Sequence, residues 1–278
     1  MGIPVWQHPV WQEQLRALGD TAAMEAFNER LARSWAVETG ILERLYTMDR
    51  GITNLLIEQG FDVSLIPHGS TGMQPQDLAD MLESHTAALD ALFAFVAGAL
   101  PFGPSFVKEL HAVLTRAQET VLAQDQTSRQ FNTPLLRGSW KLLPNNPRCA
   151  DGTMYTYCPP VQVALEMDRL VELQAQLDAA AAEVRAAWLH HRFTQIHPFQ
   201  DGNGRVARAL ATLEFLKDGL LPLVIDRDSR GEYIAALEKA DAGDLHPLID
   251  LFSKIERGTL LRGMSLAEAT LHESASLQ

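Results

Sequence analysis

The run His197-Pro198-Phe199-Gln200-Asp201-Gly202-Asn203-Gly204-Arg205-Val206-Ala207-Arg208 gathers a base, a hard-oxygen carboxylate, a glycine-rich turn and two guanidinium groups within twelve consecutive residues. That is the inventory of a phosphoryl-group or nucleotidyl-transfer site. Gly202-Asn203-Gly204 permits positive φ and close backbone approach, and it opens into a helix whose first amides lack intrahelical partners and therefore hold an anion. Arg205 and Arg208, three positions apart, project from neighbouring positions on the first helical turn and reach one polyphosphate. Asp201 suits Mg²⁺, which takes one or two protein carboxylates and completes its shell with phosphate and water. His197, a residue type with an ordinary pKa of about 6.5, accepts a proton from an attacking hydroxyl near neutral pH.

These residues need rigid elements to aim them. Apolar periodicity through Val184, Trp188 and Ile196 predicts a helix over Ala182–Ile196, and a second over Arg205–Lys217, so the motif is a helix-loop-helix with its chemistry in the loop. Aliphatic and alanine-rich helical periodicity dominates elsewhere, with little alternation of period two, which gives an all-α chain with one small hairpin. Leu65 to Pro75 reads as a loop and Pro101-Phe102-Gly103-Pro104 as a boundary. The expected organisation is an N-terminal helical region over 1–100, a catalytic domain over 101–257 and a C-terminal tail over 258–278, whose Ser-rich end from Ser265 to Gln278 is expected to fray or to form an amphipathic turn or two.

Composition excludes more than it identifies. The chain has 278 residues and a formal net charge of −12, with no basic face of the kind that neutralises nucleic-acid phosphates. Direct nucleic-acid binding is not expected. Cys149 and Cys158 are the two cysteines, too few for a disulfide framework or a metal-ligand set, and reduced thiols in a cytoplasmic protein are the default. The opening residues Met1 to Trp6 carry no targeting signal, and the most apolar run, Ala91 to Leu100, is too short to cross a bilayer and reads as a buried helix. No membrane association is expected.

The run from His197 to Arg208 resembles, at every defined position, the His-x-Phe-x-Asp/Glu-Gly-Asn-Gly-Arg-x-x-Arg signature of Fic-domain proteins. The resemblance implies an all-α Fic fold: a helical bundle with a small β-hairpin flap and an N-terminal helical extension. It makes His197 the base, Asp201 the Mg²⁺ ligand, Gly202, Asn203 and Gly204 the anion hole, and Arg205 and Arg208 the grip on the β- and γ-phosphates. Phe199 becomes a structural anchor of the loop. Gly138-Ser139-Trp140-Lys141 and Tyr157-Cys158-Pro159-Pro160 resemble the flap, which in the family docks the target as an added strand; Leu142 and Leu143 are then candidate target contacts. Phe106–Leu114 resembles an early helix of the domain and Tyr233–Leu251 its closing helices. ATP is the implied co-substrate, Mg²⁺ the implied metal, and a Ser, Thr or Tyr hydroxyl of a target protein, including the protein itself, the implied acceptor.

Ser34-Trp35-Ala36-Val37-Glu38-Thr39 resembles the Ser/Thr-x-x-x-Glu-Gly/Asn inhibitory helix of many Fic proteins, with Thr39 in place of Gly or Asn. The resemblance pairs Glu38 with Arg208. Independently, at about 100° per residue, Glu38 falls on one stripe with Leu31, Trp35, Leu42 and Leu45, where a carboxylate needs a cationic partner. The rival is Thr39-Gly40-Ile41-Leu42-Glu43-Arg44. Glu43 lies about 140° further around the helix, so the two carboxylates cannot address the same pocket.

The leading reading is an autoinhibited protein adenylyltransferase. Phosphotransfer, transfer from another nucleotide, removal of AMP from a target, and a non-enzymatic nucleotide-sensing regulator stay open, as does assembly into a homo-oligomer.

Overall fold

The computed structural model describes residues 22–124, 130–147, 152 and 154–276. Its helices are α1 (Ala22–Leu42), α2 (Arg50–Gln59), α3 (Pro75–Ala97), α4 (Pro104–Leu114), α5 (Val163–Ala175), α6 (Ala182–Ile196), α7 (Asn203–Lys217), α8 (Arg230–Asp241) and α9 (His246–Ser276), and its strands are β1 (Thr120–Gln124) and β2 (Gln130–Pro134). None of the helices among the described residues is long and apolar enough to cross a membrane.

The bundle is built around α7. Every residue of this helix from Arg205 to Leu216 is buried, the state expected of a helix surrounded on all faces. Small side chains at Ala207, Ala209 and Ala211 let α1, α3, α4 and α6 pack against it. Glu214 is buried completely within this helix and is satisfied by Arg185 Nε at 2.9 Å, Gln174 Nε2 at 2.9 Å and Lys217 Nζ at 2.7 Å. That network pins α5 and α6 to α7, since removing one partner from a buried pair strands the other charge.

The N-terminal helices share this core. Trp35 of α1 packs in one cluster with Val206, Leu210 and Leu213 of α7, and its indole N–H donates to Thr212 Oγ1 at 3.0 Å. A satellite cluster of Val37, Tyr46, Met48, Leu56, Leu78 and Leu82 joins α1, α2 and α3. The first element is thereby fixed against the helix that opens the motif.

Three expectations need correction or a boundary. The β-hairpin lies upstream of the flap, with Thr120 opposite Pro134 and Gln124 opposite Gln130, whereas the described flap residues run irregularly through Pro144, Asn145, Asn146 and Pro147. Proline has no N–H to donate to a ladder, but its carbonyl accepts, and Tyr155 N–H bonds Pro147 O at 3.0 Å across the flap. The C-terminal helix also continues unbroken past the expected boundary at 257–258, through Ser276, because Leu260 and its neighbours are still buried against the core. Cys149, residues 1–21 and residues 277–278 lie outside the described residues.

Candidate active site

The motif loop is held from below. His197 ends α6 in the left-handed region at φ 51°, a conformation a non-glycine residue keeps only when its surroundings enforce it. Asn203 supplies part of the enforcement: its Oδ1 accepts from Phe199 N–H at 2.9 Å and its Nδ2 donates to Phe199 O at 2.8 Å. This side chain is committed to the loop, so what Asn203 offers an anion is its backbone. Phe199 is fully buried, with the His111 ring stacked on it at 3.7 Å and Trp140 at 4.9 Å. His111 Nδ1 accepts from Gly138 N–H at 2.9 Å, which leaves the ring proton on Nε2 to donate to Asp201 O at 3.0 Å. Burial pushes the His111 pKa down to about 4 and keeps this tautomer neutral.

His197 is prepared as a base. Its Nδ1 donates to Thr194 O at 3.3 Å, leaving Nε2 without a proton and available to accept one. Tyr157 lies face to face with the imidazole, with ring centroids 3.7 Å apart and 10° between planes. Burial, reinforced by the nearby Lys141 ammonium, pushes the pKa down to about 4, so the neutral form persists throughout the physiological range. Lys141 itself is buried, and burial pushes its pKa down to about 8.

The anion-binding end is occupied by a side chain of the protein. Gly202 starts α7 at φ 78°, and a Cβ placed on Gly204 would lie 2.2 Å from Glu43 Oε1. The Glu43 carboxylate thus rests directly over the first turn of α7. It accepts from Arg208 Nη1 at 2.6 Å, while Arg208 Nε donates to Thr39 Oγ1 at 3.2 Å and Nη2 to Thr39 O at 3.0 Å. The Tyr233 hydroxyl, which meets His190 Nε2 at 2.7 Å, lies near the Arg208 guanidinium and favours its charged form. Burial alone would lower the Arg208 pKa, but Glu43 and Tyr233 raise it.

The expected pairing of Glu38 with Arg208 is therefore corrected. Glu38 is buried and does have a cationic partner, but the partner is Arg227, whose Nη2 is 2.9 Å from Glu38 Oε1 and whose backbone N–H donates to Oε2 at 2.9 Å. Arg227 also donates to Met48 O at 2.7 Å and Thr53 Oγ1 at 2.7 Å. Ser34 belongs to this side too, lining a cavity of about 420 Å³ with Glu38, Arg50 and Arg227. The cause is the end of α1. Leu45 N–H bonds Gly40 O at 3.1 Å and Arg44 N–H bonds Ile41 O at 3.0 Å, with Arg44 left-handed at φ 57°. This is a Schellman termination, and its left-handed position favours Gly or Asn. Thr39-x-x-x-Glu43 followed by a left-handed residue is thus the segment that meets Arg208, with Arg44 where the resembling motif has Gly or Asn.

The two motif arginines diverge as well. Arg205 was expected beside Arg208 on one polyphosphate, but it is 1% exposed and donates to Leu114 O at 3.3 Å and Gln118 Oε1 at 2.5 Å. Burial lowers its pKa, and the Asp201 carboxylate at 3.9 Å and the more distant Glu43 offset this only in part. Its role here is to close the floor beneath Asp201. Asp201 keeps a third of its side chain exposed beside the α7 terminus, and Gln118 Nε2 donates to its Oδ2 at 2.6 Å. Among the described residues, no cluster of three or more His, Cys, Asp or Glu side chains is placed to hold a metal ion. A single carboxylate next to an anion-binding helix terminus fits Mg²⁺ delivered with a polyphosphate, which supplies the remaining oxygens.

The flap is tied to the loop it covers. Lys141 N–H donates to Pro198 O at 2.8 Å, Lys141 Nζ to Asn145 Oδ1 at 2.9 Å, and Asn145 Nδ2 to Phe199 O at 2.8 Å. Leu142 and Leu143 stand 74% and 77% exposed above this clasp. Gln118, Asn145 and Arg227 have no sequence signature, and Tyr157 and Tyr233 fall in segments that resemble the flap and the closing helices without being singled out there. They reach the site through contacts across tens to more than a hundred residues of chain.

A model of the Fic/DOC family matches residues 101–215. Protein adenylyltransferase fic-1 of Caenorhabditis elegans is 38% identical over 78 residues, 28% of this chain and 15% of that protein. Protein adenylyltransferase Fic of Drosophila persimilis is 35% identical over 75 residues, 27% of this chain and again 15% of its own length. The alignments thus span about one-seventh of these relatives. A Fic domain containing signaling protein from Bacteroides thetaiotaomicron has the same fold, with a TM-score of 0.74 at 21% identity over 93% of this chain and 96% of that one. Fic-1 from C. elegans aligns with a TM-score of 0.66 at 21% identity, covering 95% of this chain and 71% of that one.

Proposed function

Residues 101–215 of this chain are a Fic domain, and from that premise we propose that the protein is a protein adenylyltransferase held inactive by Glu43. The observation that carries this reading is the seat of Glu43. A carboxylate bonded to Arg208 over the Cα of Gly204 stands where the outer phosphate of ATP would be drawn by the same arginine and the same helix terminus. All three Arg208 nitrogens are engaged by Thr39 and Glu43 while α1 is docked.

With Glu43 withdrawn, the remaining groups match nucleotidyl transfer. The first turn of α7 and Arg208 bind the phosphates, Asp201 holds Mg²⁺, and the cation supplies charge neutralisation on the phosphates when bound. His197 Nε2 takes the proton from a hydroxyl of the target. The hydroxyl oxygen forms a bond to the α-phosphorus, the bond from that phosphorus to the bridging oxygen breaks, and pyrophosphate leaves with the electron pair. Leu142 and Leu143 on the clasped flap offer the apolar and backbone contacts that seat the target chain.

Labelled ATP tests the proposal. With α-labelled ATP·Mg²⁺, wild type is expected to label protein weakly, Glu43→Gly strongly, and Glu43→Gly with His197→Ala at ~10²–10⁴-fold lower rate. Label from the γ-position would replace this reading with phosphotransfer. Label from neither position would favour a binding protein, and release of AMP from a pre-modified target, lost in Glu43→Gly, would assign Glu43 to the reverse reaction.

A further inference from the structure

Gln118 stands just before β1, outside the motif, and touches both charged partners of the metal-side floor. Its Nε2 donates to Asp201 Oδ2 at 2.6 Å and to Thr120 O at 3.2 Å, and its Oε1 accepts from Arg205 Nη2 at 2.5 Å. Its backbone carbonyl is gripped by Arg137 Nε at 3.2 Å and Nη2 at 3.1 Å, which fixes the residue at the root of the flap. The amide is polar in one sense only: oxygen faces the cation and nitrogen faces the anion.

The separation this creates is measurable. Arg205 Nη2 and Asp201 Oδ2 are 3.9 Å apart, too far for a direct hydrogen bond. Asp201 precedes the helix cap and Arg205 lies in the first turn of α7, near enough for opposite charges to draw together. Closure would spend the carboxylate on a guanidinium that is 1% exposed and leave it turned from the site. The interposed amide satisfies both charges while Asp201 stays one-third exposed and open on its remaining lone pairs.

The geometry points to Gln118 as a positioning residue that keeps Asp201 off Arg205 and presents its carboxylate to a divalent cation bound with a nucleotide. This rests on the nucleotidyl-transfer reading above. Partners that hydrogen-bond a metal-ligating carboxylate set its orientation, and their loss typically weakens metal affinity by ~10–100-fold.

The experiment uses the whole chain carrying Glu43→Gly, with and without Gln118→Met, which keeps the length of the side chain and removes its amide contacts to Asp201, Arg205 and Thr120 O. ATP affinity is measured by calorimetry across a Mg²⁺ titration and again in EDTA. The expected result is a rise of ~10-fold or more in the Mg²⁺ concentration at half-maximal effect, with unchanged affinity in EDTA and with labelling recovered at saturating Mg²⁺. A merely structural role would weaken the EDTA affinity as well and would not be rescued by metal. An unchanged Mg²⁺ midpoint overturns the assignment of Gln118 alone, whereas a parent whose ATP binding ignores Mg²⁺ overturns it together with the metal reading of Asp201. Should Gln118→Met fail to fold, Gln118→Asn, whose amide is too short to span both groups, is read by the same criteria.

Discussion

Glu38 and Arg227, 189 residues apart in sequence, form the ion pair that fixes the far end of α1, with three contacts from the guanidinium and backbone of Arg227 to the one carboxylate at 2.9–3.1 Å. Five residues on, Glu43 meets Arg208 at 2.6 Å. One helix end thus carries two carboxylates with separate partners: the first anchors the segment, and the second sits on Arg208 over Gly204.

Separating anchor from plug gives the first prediction. Arg227→Ala leaves a buried carboxylate unpaired, which typically costs ~3–5 kcal/mol, and it loosens the end of α1 without touching the motif. The melting temperature should fall, and labelling from α-labelled ATP should rise toward, but not reach, that of Glu43→Gly. Unchanged labelling in a demonstrably loosened protein would show that Glu43 holds its seat without the anchor.

Arg44 carries the second. It occupies the left-handed position of the helix termination at φ 57°, where a side chain costs roughly 1–2 kcal/mol that glycine avoids. Arg44→Gly is expected to raise the unfolding free energy by ~1 kcal/mol and to leave wild-type labelling as low or lower. A destabilised Arg44→Gly protein in denaturant titration would mean that the exposed arginine makes contacts worth more than the strain.

Removal of metal gives the third. Chelation should abolish labelling in the Glu43→Gly protein while leaving its melting temperature without nucleotide unchanged, and Asp201→Ala, which also removes the acceptor of Gln118 Nε2 and of Gly202 N–H, should abolish labelling and lower the melting temperature modestly. Full labelling in EDTA would contradict a metal-assisted transfer.

Protonation of buried histidines supplies the fourth. Burial pushes His85 and His190 down to about 3, and His111 and His197 to about 4, from 6.5. Below 6.5 the unfolded chain binds protons that the folded chain refuses, so stability is complete above that pH and falls as pH drops toward 4 and then 3, by up to ~1.4 kcal/mol per pH unit for each histidine. Denaturant midpoints measured at pH 7, 6 and 5 should decline in that order. The acid limb of kcat/KM for the Glu43→Gly protein should sit near the depressed His197 value, and Lys141→Met, which removes the neighbouring cation, should move it upward. A limb at 6.5 in both proteins would place His197 in a solvated setting.

The sequence alone determined the candidate residues and the helical frame around them. His197, Asp201, the glycine turn and the opening of α7 are consecutive, so their meaning depends on local geometry. The α6 and α7 helices follow from a periodicity that burial on many sides reinforces. The all-α class is legible for the same reason.

Only the tertiary structure decided which carboxylate meets Arg208. A helical wheel drawn through Leu45 treats Glu38 and Glu43 as points on one cylinder, but α1 ends at Leu42, and from there Glu43 is aimed by the left-handed turn at Arg44 and by Tyr46, whose hydroxyl donates back to Val37 O at 2.8 Å. The same is true of Arg205 and Arg208. Their three-residue spacing suggests a shared ligand, yet one faces α4 and Gln118 while the other faces α1 and Tyr233. Each guanidinium goes to the acceptors packed against its own side of α7, and those acceptors come from segments 87 and 165 residues away for Gln118 and Glu43. Spacing along the chain fixes the direction in which a side chain leaves its helix, and the neighbours that satisfy its charge are fixed by packing.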